Sequence, residues 1–112
     1  MVLRERGSKA FGRLRVGLTN GIFLSEIRRY QPTIDVASVA ANTVVAQTFT
    51  VTGLAADDLV ISVDPDIDIG LGMGTVRVSA ADTISIEFIN PTGSSVDPAS
   101  GTWDILVVRP QP

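Results

Sequence analysis

The sequence predicts a mostly β fold: a small antiparallel β-sandwich, jelly-roll or Greek-key like, with an extended basic N-terminal arm. Of the 112 residues, 45% are hydrophobic but only 5% are aromatic. The core must therefore consist mainly of Val, Ile, Leu and Ala, whose branched members suit a pleated, half-buried surface. After Pro32, short apolar alternations recur about every ten residues between turn-forming residues, which is typical of a sandwich or barrel. The connections are too short for crossover helices, which favours antiparallel pairing.

Charge and glycine spacing separate the predicted arm from the predicted sandwich. The first 30 residues carry seven cations against two acids, a net charge of +5, whereas the rest of the chain carries two cations against ten acids, a net charge of −8. Four glycines, the last of them Gly21, each disfavour a helix by about 1 kcal/mol relative to alanine. We therefore assign residues 1–32 to a Gly-interrupted arm and residues 33–112 to the sandwich. Ile22–Tyr30 fits either a short helix or an extended segment, and we favour the extended form.

Five or six strands are expected after residue 40. They lie in Thr43–Leu54, in Asp57–Pro65, in Gly74–Asn90, which contains two strands split at Ala81-Asp82, and in Thr102–Pro110. Gly74–Asn90 contains two apolar alternations, Val76/Val78/Ala80 and Ile84/Ile86/Phe88. In the last strand, period-two alternation predicts that the side chains of Trp103, Ile105 and Val107 face inward. The alternation in Asp57–Pro65 groups Leu59, Ile61 and Val63 on one face. The segment between Asn90 and Gly101 is predicted to be a loop, because Pro, Gly, Ser, Asp and Asn all favour turns.

An acidic stretch, VDPDIDIGLGMG at residues 63–74, begins like a calcium-binding loop. Counted from Asp64, acids occupy positions 1, 3 and 5 of an EF-hand loop, but position 6 is isoleucine instead of glycine and position 12 is threonine instead of glutamate. The alternative is a strand of period two: Asp64, Asp66 and Asp68 outward, and Ile67, Ile69 and Leu71 inward. We prefer the strand to adventitious or assembly-dependent cation binding, and we predict no metal site and no cofactor.

The chain lacks the residues of most catalytic sites. It contains no histidine and no cysteine, which removes the commonest general base and any Ser-His-Asp or Cys-His arrangement, and Lys9 is the only lysine. Two carboxylate pairs, Asp57 with Asp58 and Asp82 with Glu87, fall where turns or solvated faces are expected. We therefore predict that the protein is not an enzyme. No apolar run approaches the length of about 18 residues that a membrane span needs, so we also expect no membrane association.

The predicted arm supplies the candidate contact residues for a partner. They are the cations of the first 30 residues: Arg4, Arg6, Lys9, Arg13, Arg15, Arg28 and Arg29. We prefer an arm that orders against an acidic partner surface or a neighbouring subunit, as basic glycine-rich segments can fold on binding. The alternatives are a solvated tail and nucleic-acid binding through phosphate neutralisation. Only Phe11 lies among the later cations, so stacking on bases has little support, and we do not expect nucleic acid as the partner.

Three stretches together resemble a known class of viral protein. They are VAANTVVAQTFTVTGL, DDLVISVDP and GLGMGTVRVSAADTISIEFINPTGSSVDPASGTWDILVVRP, which cover most of Val39–Pro110, or about two thirds of the chain. They resemble small β-sandwich capsid decoration (cement) proteins of tailed bacteriophages, including cyanophages, or the related base of a head fibre. The most specific part is Arg77–Thr92 followed by the last predicted strand. The arm lies outside this resemblance.

The resemblance implies a virion structural protein with no active site. Such proteins bind the major capsid protein at the capsid surface, commonly as homotrimers, and stabilise the shell. An alternative is a head-fibre or tail adhesion module that binds a glycan or another virion protein, with the loop between Asn90 and Gly101 as its contact. A nucleic-acid or packaging accessory protein is a third hypothesis.

Overall fold

The computed structural model describes residues 24–110, and these residues form a small antiparallel β-sandwich, as predicted. The described residues contain no helix, so none of them forms a helix that could cross a membrane. The strands in chain order are β1 (Leu24–Tyr30), β2 (Thr33–Ile34), β3 (Thr43–Thr50), β4 (Leu59–Pro65), β5 (Gly72–Ala80), β6 (Thr83–Asn90) and β7 (Gly101–Pro110).

Two sheets make up the sandwich, each with one central strand. In the first sheet β1 and β4 lie on opposite sides of β7, since both strands pair with its residues 105–108. β2 pairs with residues 101 and 102 of β7 in the same register as β1, and therefore lies on the same side as β1. The second sheet has the order β3-β6-β5. Every pairing is antiparallel, as the short connections predict. The central strands β6 and β7 therefore carry the side chains that meet between the sheets.

The core forms where β6 and β7 face each other. The six apolar side chains that the alternations select in these strands, of which the three on β7 were predicted to face inward, all have zero exposure: Ile84, Ile86, Phe88, Trp103, Ile105 and Val107. Phe88 packs edge-on against both Trp103 and Phe49, with ring centroids 6.4 and 6.2 Å apart. Edge-to-face pairs are a preferred aromatic geometry, and the pair of Phe88 and Trp103 joins the two sheets, whereas Phe49 and Phe88 belong to the same sheet. The inward assignment from the sequence is therefore confirmed.

The predicted alternation in β4 is wrong, because the strand contains a bulge. The register against β7 shifts between Val60 and Ser62, so that Ile61 is an extra residue. Val60 and Val63 consequently pack against the core. Leu59 and Ile61, which the sequence groups with Val63, are 58% and 55% exposed.

The strand predicted through the acidic stretch ends earlier, at Pro65. The predicted facing is nonetheless confirmed: three aspartates are exposed, Ile69 is buried, and the neighbouring apolar side chains pack against the core. The chain turns because Asp68 Oδ1 accepts a hydrogen bond from the amide of Gly70 at 2.9 Å, and Gly70 has a φ of 70°. That left-handed conformation suits glycine and does not occur in a strand.

Asn90 fastens the long loop between β6 and β7 to the segment between β2 and β3. Its side chain is buried, and its Nδ2 donates to the carbonyls of Val39, Ala40 and Ser94 at 2.9 to 3.2 Å. Its Oδ1 accepts from the amide and hydroxyl of Thr92 at 3.0 and 2.7 Å. One buried side chain therefore cross-links two segments that are about 50 positions apart in sequence.

The first sheet includes residues that the sequence assigns to the arm. β1 lies before the predicted boundary at residue 32 and pairs with β7 over most of its length, so Leu24–Tyr30 belongs to the sandwich sheet. It is extended, as the sequence analysis favoured. Residues 1–23 lie outside the described residues, and the predicted arm there stays a prediction.

Candidate interaction site

The candidate contact residues fall into two groups. Arg4, Arg6, Lys9, Arg13 and Arg15 lie outside the described residues. Arg28 and Arg29 lie on β1, where Arg28 is opposite Val107 and Arg29 opposite Leu106. Because Val107 faces the core and alternate residues face opposite sides of a sheet, the two arginines point to opposite faces. They do not form one basic patch.

Each of these two arginines is paired within the chain. Arg28 Nε donates to Glu26 Oε1, and Arg29 Nε donates to Asp104 Oδ1 at 2.8 Å. These hydrogen bonds raise the pKa of each guanidinium above its usual value. The arginine side chains remain 40% and 60% exposed, so the pairs contribute little to stability. They do lower the net positive charge that β1 offers to a partner.

A buried ion pair connects β7 to the segment before β4. The side chain of Asp58 has no exposure, and Arg109 binds both its oxygens, with Nε to Oδ1 and Nη2 to Oδ2 at 2.7 Å each. Asp58 Oδ2 also accepts from the amide of Ala55 at 2.9 Å. Burial alone would raise the pKa of Asp58, but the hydrogen bonds from Arg109 and Ala55 outweigh burial and hold that pKa below its usual value. These hydrogen bonds therefore favour the ionised form of the carboxylate.

The peptide of Gly53 joins the same cluster. Its carbonyl accepts from Tyr30 Oη and from Arg109 Nη2, both at 3.0 Å, while its amide donates to Asp82 Oδ1 at 2.8 Å. Gly53 has a φ of 106°, and a Cβ there would lie 3.1 Å from Tyr30 Cε1. Only glycine fits this backbone position without strain. The cluster therefore ties β1 and β7 to the turn between β5 and β6.

The cluster of Asp58 and Arg109 is better suited to stabilising the fold than to binding a ligand or catalysing a reaction. Both carboxylate oxygens already accept hydrogen bonds, so Asp58 has no open position aimed at a ligand. Arg109 was not among the contact residues predicted from the sequence, although it is one of only two cations in residues 31–112. One feature of the sequence could have indicated it: the apolar last strand ends in an arginine, and an arginine beside the core is a suitable partner for a buried acid.

A shallow groove of about 330 Å³ lies between the edges of β4 and β5. Apolar side chains, among them Val60, Val76 and Val78, line it together with Asp58 and the exposed Asp57 and Arg77. Its one buried charge is the carboxylate already held by Arg109. Within residues 24–110, no group of three or more His, Cys, Asp or Glu side chains could hold a metal ion.

The outer side of the first sheet carries a row of apolar side chains, two of them exposed. Ile27 and Leu59 both pair with Val108, which places three aliphatic residues in one row across β1, β7 and β4. Leu106 lies two residues along β7 on the same side. We call Ile27, Leu59, Leu106 and Val108 the aliphatic face. Ile27 is 50% exposed and Leu59 58% exposed, and the exposed Ile61 lies beside them at the bulge.

The chain was compared with family models, curated proteins and solved structures, and none of them matches it.

Proposed function

We propose that this protein is a capsid decoration protein of a tailed bacteriophage, which binds the major capsid protein at the capsid surface and stabilises the shell. The resemblance over Val39–Pro110 suggests this class, and the small all-β sandwich is the fold it implies. The single observation that carries the proposal is the antiparallel β-sandwich of residues 24–110, because it is the fold that this resemblance implies.

Binding to the shell would depend on the repetition of weak contacts. A domain of this size offers small contact areas, and the surface pairs of Arg28 and Arg29 are weak individually. If three copies associate as a homotrimer, each contact with the shell occurs three times on one particle, and avidity compensates for the small area. The cations before β1 would add attraction to acidic surfaces.

Binding to empty shells tests the proposal. We expect the purified protein to cosediment with shells assembled from the major capsid protein of the same virus and to raise their melting temperature. Replacing Arg4, Arg6 and Lys9 by glutamine should weaken binding and its salt dependence. Arg77→Gln, which removes an exposed cation of the second sheet, serves as the control and should bind normally. Absence of cosedimentation at low salt would contradict the proposal.

A glycan-binding adhesion module has less support. Trp103 and Tyr30 are the aromatic residues that the sequence offers for stacking on a sugar near the loop between β6 and β7. Trp103 is fully buried, and the hydroxyl of Tyr30 is bonded to Gly53. A glycan array that gives strong signals with the wild-type protein would reverse this preference.

A further inference from the structure

The free edges of the two sheets differ in how they are protected against pairing with another strand. In the described part of the chain, β1, β4 and β5 each carry a charged residue and a shift of register, two features that discourage edge-to-edge pairing. β3 has neither feature. It pairs with β6 over its whole length without a shift, and among the described strands longer than two residues it alone contains no charged side chain.

The free edge of β3 is also open to solvent. Within residues 24–110, the backbone of β3 has no hydrogen-bond partner outside β6. Val44 on the outer side of the sheet is 59% exposed, and Val45, which faces the core side together with its partner Phe88, is still 38% exposed. Every second residue of an edge strand points its N–H and C=O away from the sheet. β3 therefore offers a row of unpaired backbone groups to another strand.

A second copy of β3 fits this edge. Because β3 carries no charge, nothing in it selects an acidic or a basic segment, and another uncharged strand is its best match. An antiparallel pair of identical strands has a two-fold axis, which is the commonest symmetry of homodimers. When that axis is perpendicular to the sheet, outward side chains stay on the outer side and core-facing side chains stay on the inner side. The two domains would then share one six-stranded sheet.

The side chains of β3 favour one register. With the two-fold axis at Ala46, seven residues of each strand pair, and Val44 of one protomer lies opposite Thr48 of its partner. An axis at Gln47 would also pair seven residues, but it would bring together two side chains that each hold the backbone of the segment between β2 and β3. An axis at Val45 would pair only five residues. The register centred on the small Ala46 is therefore the one we expect.

Neither charge nor size opposes a weak dimer of this kind. Glu87 pairs with Ala46, so the two copies of Glu87 would lie in the row of the axis, three strand spacings or about 14 Å apart. That distance exceeds the screening length of about 8 Å in physiological salt. Seven paired residues extend about 24 Å, and a width of about 15 Å across both sides of the sheet gives on the order of 400 Å² from each protomer. Contacts of this size are typical of weak or transient association.

We propose that two copies of this protein associate through β3, in an antiparallel pair with Ala46 at the two-fold axis. The small contact implies a dissociation constant in the micromolar range, so the dimer forms where the local concentration is high. This two-fold contact is distinct from the contact that would form the proposed homotrimer. It does not depend on the proposed capsid function, and failure to bind capsid shells would leave it unchanged.

Sedimentation equilibrium of the full chain between about 1 μM and 1 mM tests for the dimer. We expect the mass of one chain at the low end of this range and twice that mass at the high end. Amide hydrogen exchange at the same concentrations locates the contact: alternate amides of β3 should exchange more slowly at high concentration, whereas amides of β5 should not change. A monomer over the whole range would overturn the proposal. So would an assembly in which the β3 amides exchange as fast as in the monomer.

Two double variants at the same positions test the register. In the proposed dimer, Val44→Lys with Thr48→Lys places two pairs of like charges opposite each other, whereas Val44→Glu with Thr48→Lys places two pairs of opposite charges there. Both positions are exposed, and their partners on β6 are the uncharged Ile89 and Ser85, so both variants should fold. The fluorescence of the buried Trp103 checks this.

We expect the dimer with like charges to dissociate at least about tenfold more readily than the dimer with opposite charges, because two cross-strand pairs change sign. Added salt should reduce this difference, since it screens both the repulsion and the attraction. Equal dissociation constants for the two folded variants at low salt would overturn the pairing at Ala46.

Discussion

The pair of Asp58 and Arg109 allows the sharpest prediction about stability. Arg109→Met keeps most of the length and apolar stem of the arginine but removes the guanidinium that binds both oxygens of Asp58. The carboxylate then keeps only the amide of Ala55 as a hydrogen-bond donor and stays fully buried. A charge that is buried without a partner is one of the few changes that strongly destabilise a small domain.

The expected loss is near the lower end of the range for such changes. Removing one partner of a buried ion pair costs about 3 to 5 kcal/mol. Arg109 is itself 21% exposed, so water can partly replace it beside Asp58, and we expect about 3 kcal/mol at neutral pH. That is a large part of the roughly 5 to 15 kcal/mol by which small domains are stable. Asp58→Asn combined with Arg109→Met should recover part of the loss.

The pH dependence identifies the mechanism. In the wild-type protein the pKa of Asp58 is held below its unfolded value, so its contribution to stability is present above that value and is lost as the pH falls through the folded pKa. Without Arg109, burial should raise the pKa of Asp58 above the unfolded value, and stability should then fall as the pH rises. The difference between the two proteins should therefore be largest near pH 7 and shrink towards pH 3.

Urea denaturation followed by the fluorescence of Trp103, the only tryptophan and fully buried, measures this difference. Unfolding free energies should be compared at pH 7, 5 and 3. Arg29→Met is a suitable control, since it removes an exposed pair and should cost less than about 1 kcal/mol. The reasoning is refuted if Arg109→Met costs as little as the control, or if its cost does not change with pH.

Three further substitutions test the fold by the same urea assay. Asn90→Ala should destabilise by about 1 to 3 kcal/mol, because a buried side chain loses its hydrogen bonds to three carbonyls, each of which keeps one other donor; a change below about 0.5 kcal/mol would contradict this. Gly53→Ala should cost about 1 to 3 kcal/mol through its φ of 106° and its closeness to Tyr30, whereas Gly93→Ala, with open space around it, should be nearly neutral. Phe88→Ala should cost about 3 to 5 kcal/mol, since it empties the contact between the sheets.

Period-two alternation was enough to predict the core strands. In β6 and β7 one face meets the other sheet, so every second residue is apolar, and the inward prediction for Trp103, Ile105 and Val107 is confirmed. It failed in β4, because a bulge at Ile61 changes which side chains face inward, and no local residue type marks that bulge. Alternation also failed to predict where the strand ends in the acidic stretch, since the turn there depends on the hydrogen bond between Asp68 and the amide of Gly70.

The candidate site was harder to predict, because it depends on contacts between distant residues. Arg28 and Arg29 were selected from local charge, yet their partners and opposite facing come from pairing with β7. Arg109 and Asp58 are 51 positions apart in sequence, and no spacing rule connects them. The aliphatic face likewise exists only when β1, β7 and β4 lie side by side.

The position of β7 in the first sheet sets an order for events during synthesis. β1, β2 and β4 all pair with β7, and β7 follows all three in the chain. The second sheet contains a hairpin, β5 and β6, whose partners are close in sequence, so it can form while the ribosome is still making the rest. The first sheet has to wait until β7 emerges. During that interval β1 and β4 expose strand edges, and this is the stage at which we expect nascent chains to be most prone to aggregate or to need a chaperone.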